Sequence, residues 1–105
     1  MSSKRAAMSR PFNITPRAKA DLQGIWTYTL EVWGEAQADR YVAALFDRFN
    51  WLAQRPQMGK HRADIQEGYY CFPQGSHLVF YSIRLGGIDV IGIPHKEMDI
   101  FNFFE

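Results

Sequence analysis

Six side chains carry the functions that phosphate chemistry requires: Lys60, His61 and Arg62 stand together, Arg84 lies further along, and His95 is followed by Lys96. Cleaving RNA through its own 2′-hydroxyl needs a base, an acid and cations for the phosphate, and two histidines with four cations contain those functions. Their spacing does not force them to meet. Most also have a plainer reading, Lys60 to Arg62 as a solvated loop and Arg84 and Lys96 as charges guarding strand edges; His77, outside the six, reads as a surface residue beside a turn. For His95, placed where a strand runs out, the two readings balance.

Other chemistries find no support in the residue pattern. Cys71 is the single cysteine, so it closes no internal disulfide and reads as a half-buried apolar filler. The histidines, His61, His77 and His95, have no Cys/His spacing of a zinc site. No glycine-rich phosphate loop, no serine-histidine-aspartate order and no paired metal carboxylates occur, so neither a metal nor a cofactor is expected. Asp21, Asp39 and Asp47 read as solubilising charge on helix surfaces. With 12 Lys+Arg against 11 Asp+Glu, the net charge is +1, which does not suit a protein devoted to holding phosphate backbones. The rings of Tyr69, Tyr70, Phe72, Phe80 and Tyr81 read as core and interface rather than as a base-stacking platform, because no basic groove accompanies them.

The elements that must position these residues can be read from periodicity and punctuation. A chain of 105 residues is the size of one domain, and folding at this length hides about 65% of the surface the unfolded chain would expose. The start, MSSKRAAMSR, is basic with no apolar run behind it. It reads as a loose tail, residues 1–10, ahead of a single domain over 11–105, with no export signal and no membrane span. A lone cysteine suits a reducing cytosol.

Residues 11–15 alternate as a brief first strand. Thr15 then reads as an N-cap and Pro16 as the first helical residue, where a missing N–H costs nothing. Ala18, Leu22, Ile25, Trp26, Thr29 and Trp33 recur at spacings of three and four as the buried face of that helix. Gly34 ends it, and a second helix begins at about Glu35 with Ala38, Tyr41, Leu45, Phe49 and Leu52 as its stripe. Val42, Phe46 and Ala53 widen the stripe, so the second helix should touch something on two sides.

Pro56 closes that helix, and residues 55–67 show no period and read as a loop. Three strands follow over 69–73, 77–84 and 88–94, joined by turns at Gly75-Ser76 and Gly86-Gly87. In the middle strand His77, Val79, Tyr81 and Ile83 face one way and Leu78, Phe80, Ser82 and Arg84 the other. One face must pack on the helices, and the other needs cover from Phe101, Phe103 and Phe104 or from another protein. The order is strand, helix, helix, three strands, an α+β domain.

Four separated stretches carry a resemblance. Ile14-Thr15-Pro16-Arg17-Ala18-Lys19-Ala20-Asp21-Leu22, Trp33-Gly34-Glu35-Ala36-Gln37-Ala38, Arg55-Pro56-Gln57-Met58-Gly59 and Phe72-Pro73-Gln74-Gly75-Ser76-His77-Leu78-Val79-Phe80-Tyr81 resemble, in that order, the ParE toxins of the RelE/ParE toxin–antitoxin superfamily. The resemblance implies a helical hairpin packed on a small antiparallel sheet. It also implies a bacterial, cytoplasmic protein that inhibits DNA gyrase without being an enzyme, is neutralised by a ParD-type antitoxin, and binds no nucleic acid directly without that antitoxin. On this reading Tyr70, Arg84, His95, Lys96 and Met98 are expected near the gyrase contact. Trp26, Trp33, Tyr41, Phe46 and Trp51 are expected on the antitoxin side, where aromatic anchors dominate binding.

Two stretches depart from the family. Gly68-Tyr69-Tyr70 stands where Gly-Tyr-Arg or Gly-Leu-Arg is usual, and Gly92-Ile93-Pro94-His95 where Arg-Ile-Leu-His is usual. Both departures remove an arginine from the sheet. They motivate an attenuated toxin that acts mainly as an antitoxin-binding partner, beside the further alternative of a RelE-type messenger RNA endoribonuclease with His95 as base or acid.

Overall fold

The computed structural model describes residues 11–105. Strand β1 (Phe12–Ile14) leads into helix α1 (Pro16–Trp33), which turns at Gly34 into helix α2 (Glu35–Gln54). A single 3₁₀ turn (Pro56–Met58) follows, then β2 (Lys60–His61), β3 (Tyr69–Gln74), β4 (His77–Arg84), β5 (Gly87–Gly92) and the short helix α3 (Ile100–Phe103). The expected tail over 1–10 lies outside the described residues.

The first helix begins where its cap chemistry places it. Thr15 Oγ1 accepts from the Ala18 amide at 3.2 Å and donates to the Ile91 carbonyl at 3.0 Å, while the Thr15 amide donates to the Val90 carbonyl at 3.1 Å. One residue therefore caps α1 and ties it to β5. The two helices form the expected hairpin on one face of a five-stranded sheet of order β1-β5-β4-β3-β2.

The sheet is mixed rather than purely antiparallel. β1 runs parallel to β5, with Phe12 opposite Ile88 and Ile14 opposite Val90. The helical hairpin between them supplies the crossover that a parallel pair requires. The segment expected to be only a loop contributes β2, where Lys60 pairs with Cys71 and His61 with Tyr70.

The core lies between hairpin and sheet: Ala18, Leu22 and Ile25 from α1, Leu45, Phe49 and Leu52 from α2, and Val79, Tyr81, Ile88, Val90 and Ile93 from the sheet side. Val79 and Tyr81 face the helices as their alternation predicts. On the opposite face Phe80 is fully buried beneath Phe104, whose ring centroid lies 4.9 Å away. Of the three candidate covering rings, Phe103 and Phe104 meet each other at 4.8 Å, and Phe101 stays exposed. Arg17 holds this aromatic tail, lying 4.2 Å over the Phe103 ring and donating to the Phe103 carbonyl.

Three placements differ from the sequence reading. Trp33, expected on the buried face of α1, is 70% exposed, because the chain turns away at Gly34 and nothing packs beyond the helix's last residue. Trp26 is half-buried, its Nε1 donating to Asp39 Oδ1 at 3.1 Å. Asp21, read as solubilising charge, accepts from the Ile93 amide at 2.8 Å and so bonds a backbone donor just past the end of β5.

Candidate functional site

A groove of about 680 Å³ runs between α1, the start of α2, the β3–β4 turn and the segment after β5. Ile25, Thr29 and Ile93 line its buried part, and Tyr28, Trp33, His95 and Met98 stand at its mouth. Tyr28 is 64% and Met98 49% exposed, so together with Trp33 the opening presents three large apolar side chains to solvent. Such a cluster on a small domain marks an interaction surface.

Polar groups converge on the same groove. The Tyr41 hydroxyl accepts from the Ser76 amide at 2.8 Å and lies in hydrogen-bond contact with His77 Nδ1 at 2.7 Å. His77 in turn faces His95 across an isolated antiparallel bridge, ring centroids 5.3 Å apart. His95 Nδ1 accepts from the Glu97 amide at 3.1 Å, and the Lys96 amide donates to the Ser76 carbonyl at 2.9 Å, which docks the post-β5 segment onto the β3–β4 turn.

Burial, with the neighbouring His95 second, pushes His77 down to about 4 from the ordinary 6.5 of an imidazole. His77 is therefore neutral in the fold at neutral pH and protonates more readily in the unfolded chain. Its contribution to stability is constant above pH 6.5, is lost progressively as pH falls from 6.5 to 4, and changes no further below 4. The native chain is expected to lose roughly 3 kcal/mol more over that window than His77→Gln, read as urea midpoints at pH 7, 5.5 and 4. Equal losses in the two proteins would remove His77 as the cause.

The ten residues singled out in the sequence divide between this groove and other places. Trp33 and Tyr41, expected on the antitoxin side, line it together with His95 and Met98, expected on the gyrase side, and Lys96 anchors its wall. Tyr70 lies elsewhere, on the helix-facing side of the sheet between His61 at 4.9 Å and Tyr81 at 5.7 Å. Arg84 Nε donates to Asp89 Oδ1 at 2.9 Å at the far end of β4. Trp26 bridges the two helices, Phe46 packs on Phe12 and Phe49, and Trp51 lies 5.2 Å from Phe72 with Arg48 4.6 Å above it.

Sequence reasoning missed Tyr28, Asp21 and the burial of His77. Tyr28 left a trace there, since Val32 follows it at the i+4 spacing of a second, exposed apolar stripe, and so did His77, which alternation sets on the face of Val79 and Tyr81.

The six residues with ribonuclease functions do not converge. His61 pairs with Glu67 at 3.2 Å, Arg62 with Asp64 at 2.9 Å and Arg84 with Asp89 at 2.9 Å. Arg84 and the His77–His95 bridge sit at opposite ends of β4, about 23 Å apart at ordinary strand rise. Cys71 is buried, and that burial pushes its thiol up to about 11, the inert form a packing role needs. Among the described residues no group of three or more His, Cys, Asp or Glu side chains could hold a metal ion.

The sequence profile of the family described as ParE toxin of type II toxin-antitoxin system, parDE, matches residues 12–100. The chain belongs to the ParE toxin family. Toxin ParE1 of Caulobacter vibrioides is 36% identical over 90 residues, covering 86% of this chain and 93% of that protein. Toxin ParE1 of Mycobacterium tuberculosis is 35% identical over 94 residues, 89% and 96% of the two chains. Toxin ParE of Escherichia coli is 34% identical over 88 residues, 83% and 85% of the two chains. A chain of the chromosomal ParDE system from P. aeruginosa shares the fold with a TM-score of 0.70 at 19% identity, covering 82% of this chain and 95% of that one. The RelE/ParE-like α+β fold of this ParE toxin is thus shared with a ParDE structure.

Proposed function

We propose that this ParE-family toxin inhibits DNA gyrase by contact, without catalysing a reaction, and that a ParD-type antitoxin neutralises it by occupying the groove gyrase needs. The observation that carries the reading is that Trp33 and Tyr41 share one groove with His95 and Met98. A partner seated there buries Tyr28, Trp33 and Met98 together, and aromatic anchors of this kind concentrate binding energy in a few residues. An antitoxin segment that folds on binding can cover such an apolar surface at modest net affinity, which suits regulated release. Gyrase acts in the cytoplasm, and no helix among the described residues is long and apolar enough to cross a membrane.

Trp33→Glu and Met98→Glu are expected to weaken both activities together, each by more than about tenfold, because each places a carboxylate in a contact that both partners bury. Supercoiling assays on the free toxin and calorimetric titration with antitoxin measure the two effects. Loss of one activity with the other intact would separate the surfaces and remove neutralisation by occlusion. Native toxin that leaves supercoiling untouched at micromolar excess would remove gyrase as the target.

The attenuated-toxin reading has an observation of its own. At Gly92, where the family usually carries arginine, the space is filled by the chain's own Phe103 and Phe104. A toxin of this form offers the target an aromatic cover in place of a cation.

A further inference from the structure

Among the described residues the sheet ends at β1, and the ladder leaves that edge open. The Pro11 carbonyl accepts from the Ile88 amide at 3.0 Å and the Thr15 amide donates to the Val90 carbonyl at 3.1 Å, with Asn13 opposite Asp89 between them. Only alternate residues of a strand bond to a given neighbour, so the amides of Phe12 and Ile14 point to the other side, where the described residues place no strand. A groove of about 570 Å³ runs along that side, lined by Phe12, Asn13, Ile14, Lys19, Phe46 and Asn50.

The groove has the form of a strand position left vacant beneath α2. Phe46 belongs to the residues that widen the α2 stripe; its ring meets Phe12 at 6.1 Å and Phe49 at 5.4 Å, and it also lines the opening. Lys19 stands in the same opening and takes part in none of the ion pairs among the described residues. Amides that face no strand among the described residues, an apolar wall and a cation together specify an extended peptide with alternating apolar side chains and a carboxylate.

We infer that an extended segment of the antitoxin adds to β1 as a further strand, with apolar side chains under Phe46 and a carboxylate on Lys19. The inference rests on the reading that this toxin has a ParD-type partner, and adds a second contact outside the Trp33–Met98 groove. The chain's own candidates for the position bring the wrong charge. Residues 1–10 contain Lys4, Arg5 and Arg10 and no acid, and β1 of a second copy is flanked by Arg10, Arg17 and Lys19 with no acid before Asp21.

Residue-resolved amide exchange on the toxin, alone and with the ParD-type antitoxin encoded alongside it, tests the placement. The Phe12 and Ile14 amides are expected to exchange freely in the toxin alone and to slow by about a hundredfold or more in the complex. Lys19→Glu should weaken antitoxin binding by about tenfold, and Lys19→Arg should retain it. A complex in which both amides exchange as they do in the free toxin overturns the strand addition while leaving the antitoxin reading standing. Protection already present in the free toxin also overturns it, since the chain itself or a second copy then fills the edge. Failure of the antitoxin to bind at all removes both readings.

Discussion

Gly59→Ala is expected to lower the stability of this toxin by about 3 kcal/mol, and its combination with Tyr81→Phe to cost less than the two single losses added together. The Tyr81 ring is fully buried, and its hydroxyl accepts from the Gly59 amide at 2.9 Å and donates to the Pro56 carbonyl at 2.8 Å. That single oxygen holds the 3₁₀ turn against the sheet. A Cβ at residue 59 would overlap the hydroxyl and lie 2.9 Å from Cζ and 3.0 Å from Cε1 of the same ring. The ring sits in the core cluster between hairpin and sheet, so the turn must move instead and both hydrogen bonds fail.

Tyr81→Phe alone leaves the Gly59 amide and the Pro56 carbonyl without that partner, a loss of about 2 kcal/mol. In the double variant the hydroxyl clash is gone and the hydrogen bonds cannot be lost twice, so the combined loss should fall short of the sum. Urea unfolding of the four proteins measures the coupling. Strict additivity would show that Gly59 and Tyr81 do not act through one contact.

Gly92→Arg, which introduces the arginine that the family resemblance leads one to expect, should destabilise this chain by about 2 kcal/mol, a fall of roughly 10 °C in Tm. A Cβ there lies 2.8 Å from Phe103 Cε2 and 3.3 Å from Phe104 Cε1. An arginine must therefore lift the aromatic tail. With the tail go its cover of Phe80, the 5.4 Å contact of Phe104 with Tyr69 and the Arg17 contacts to Phe103. Thermal unfolding and binding of an apolar dye at 25 °C report the two consequences. An unchanged Tm with no added dye binding would show that the tail does not depend on Gly92.

This expectation revises what the sequence alone suggested about the missing arginines. Considered as letters in a family pattern, Tyr70 and Gly92 are two equivalent losses of charge. In the fold they differ: Tyr70 is sandwiched between His61 and Tyr81 on the helix-facing side, and Gly92 is the floor of the aromatic tail on the other. Restoring both charges would alter opposite faces of the sheet.

Local chemistry accounts for what was legible beforehand. Thr15 and Pro16 start α1 because a capping oxygen and a fixed φ act within one turn. Alternation put Val79 and Tyr81 on the helix side because side chains of a strand point to opposite faces in turn. Four ordered stretches sufficed for the family, whose profile spans residues 12–100. Periodicity reports that a residue lies on a face, however, and says nothing of what stands opposite. Trp33 kept its place in the α1 stripe and still lies open, because the partner helix turns away one residue later.

The sequence by itself determined β1, the two long helices and strands β3 to β5, their order and the family, because caps, turns and periods act between near neighbours; the two-residue β2 and the short α3 left no such local signal. Tertiary structure decided that β1 runs parallel to β5, that Asp21 bonds the Ile93 amide, and that Trp33 and Tyr41 share a groove with His95 and Met98. Each of those pairings joins residues far apart along the chain. They are set only when the hairpin packs on the sheet, since burial of the shared core, rather than any local preference, fixes which distant side chains meet.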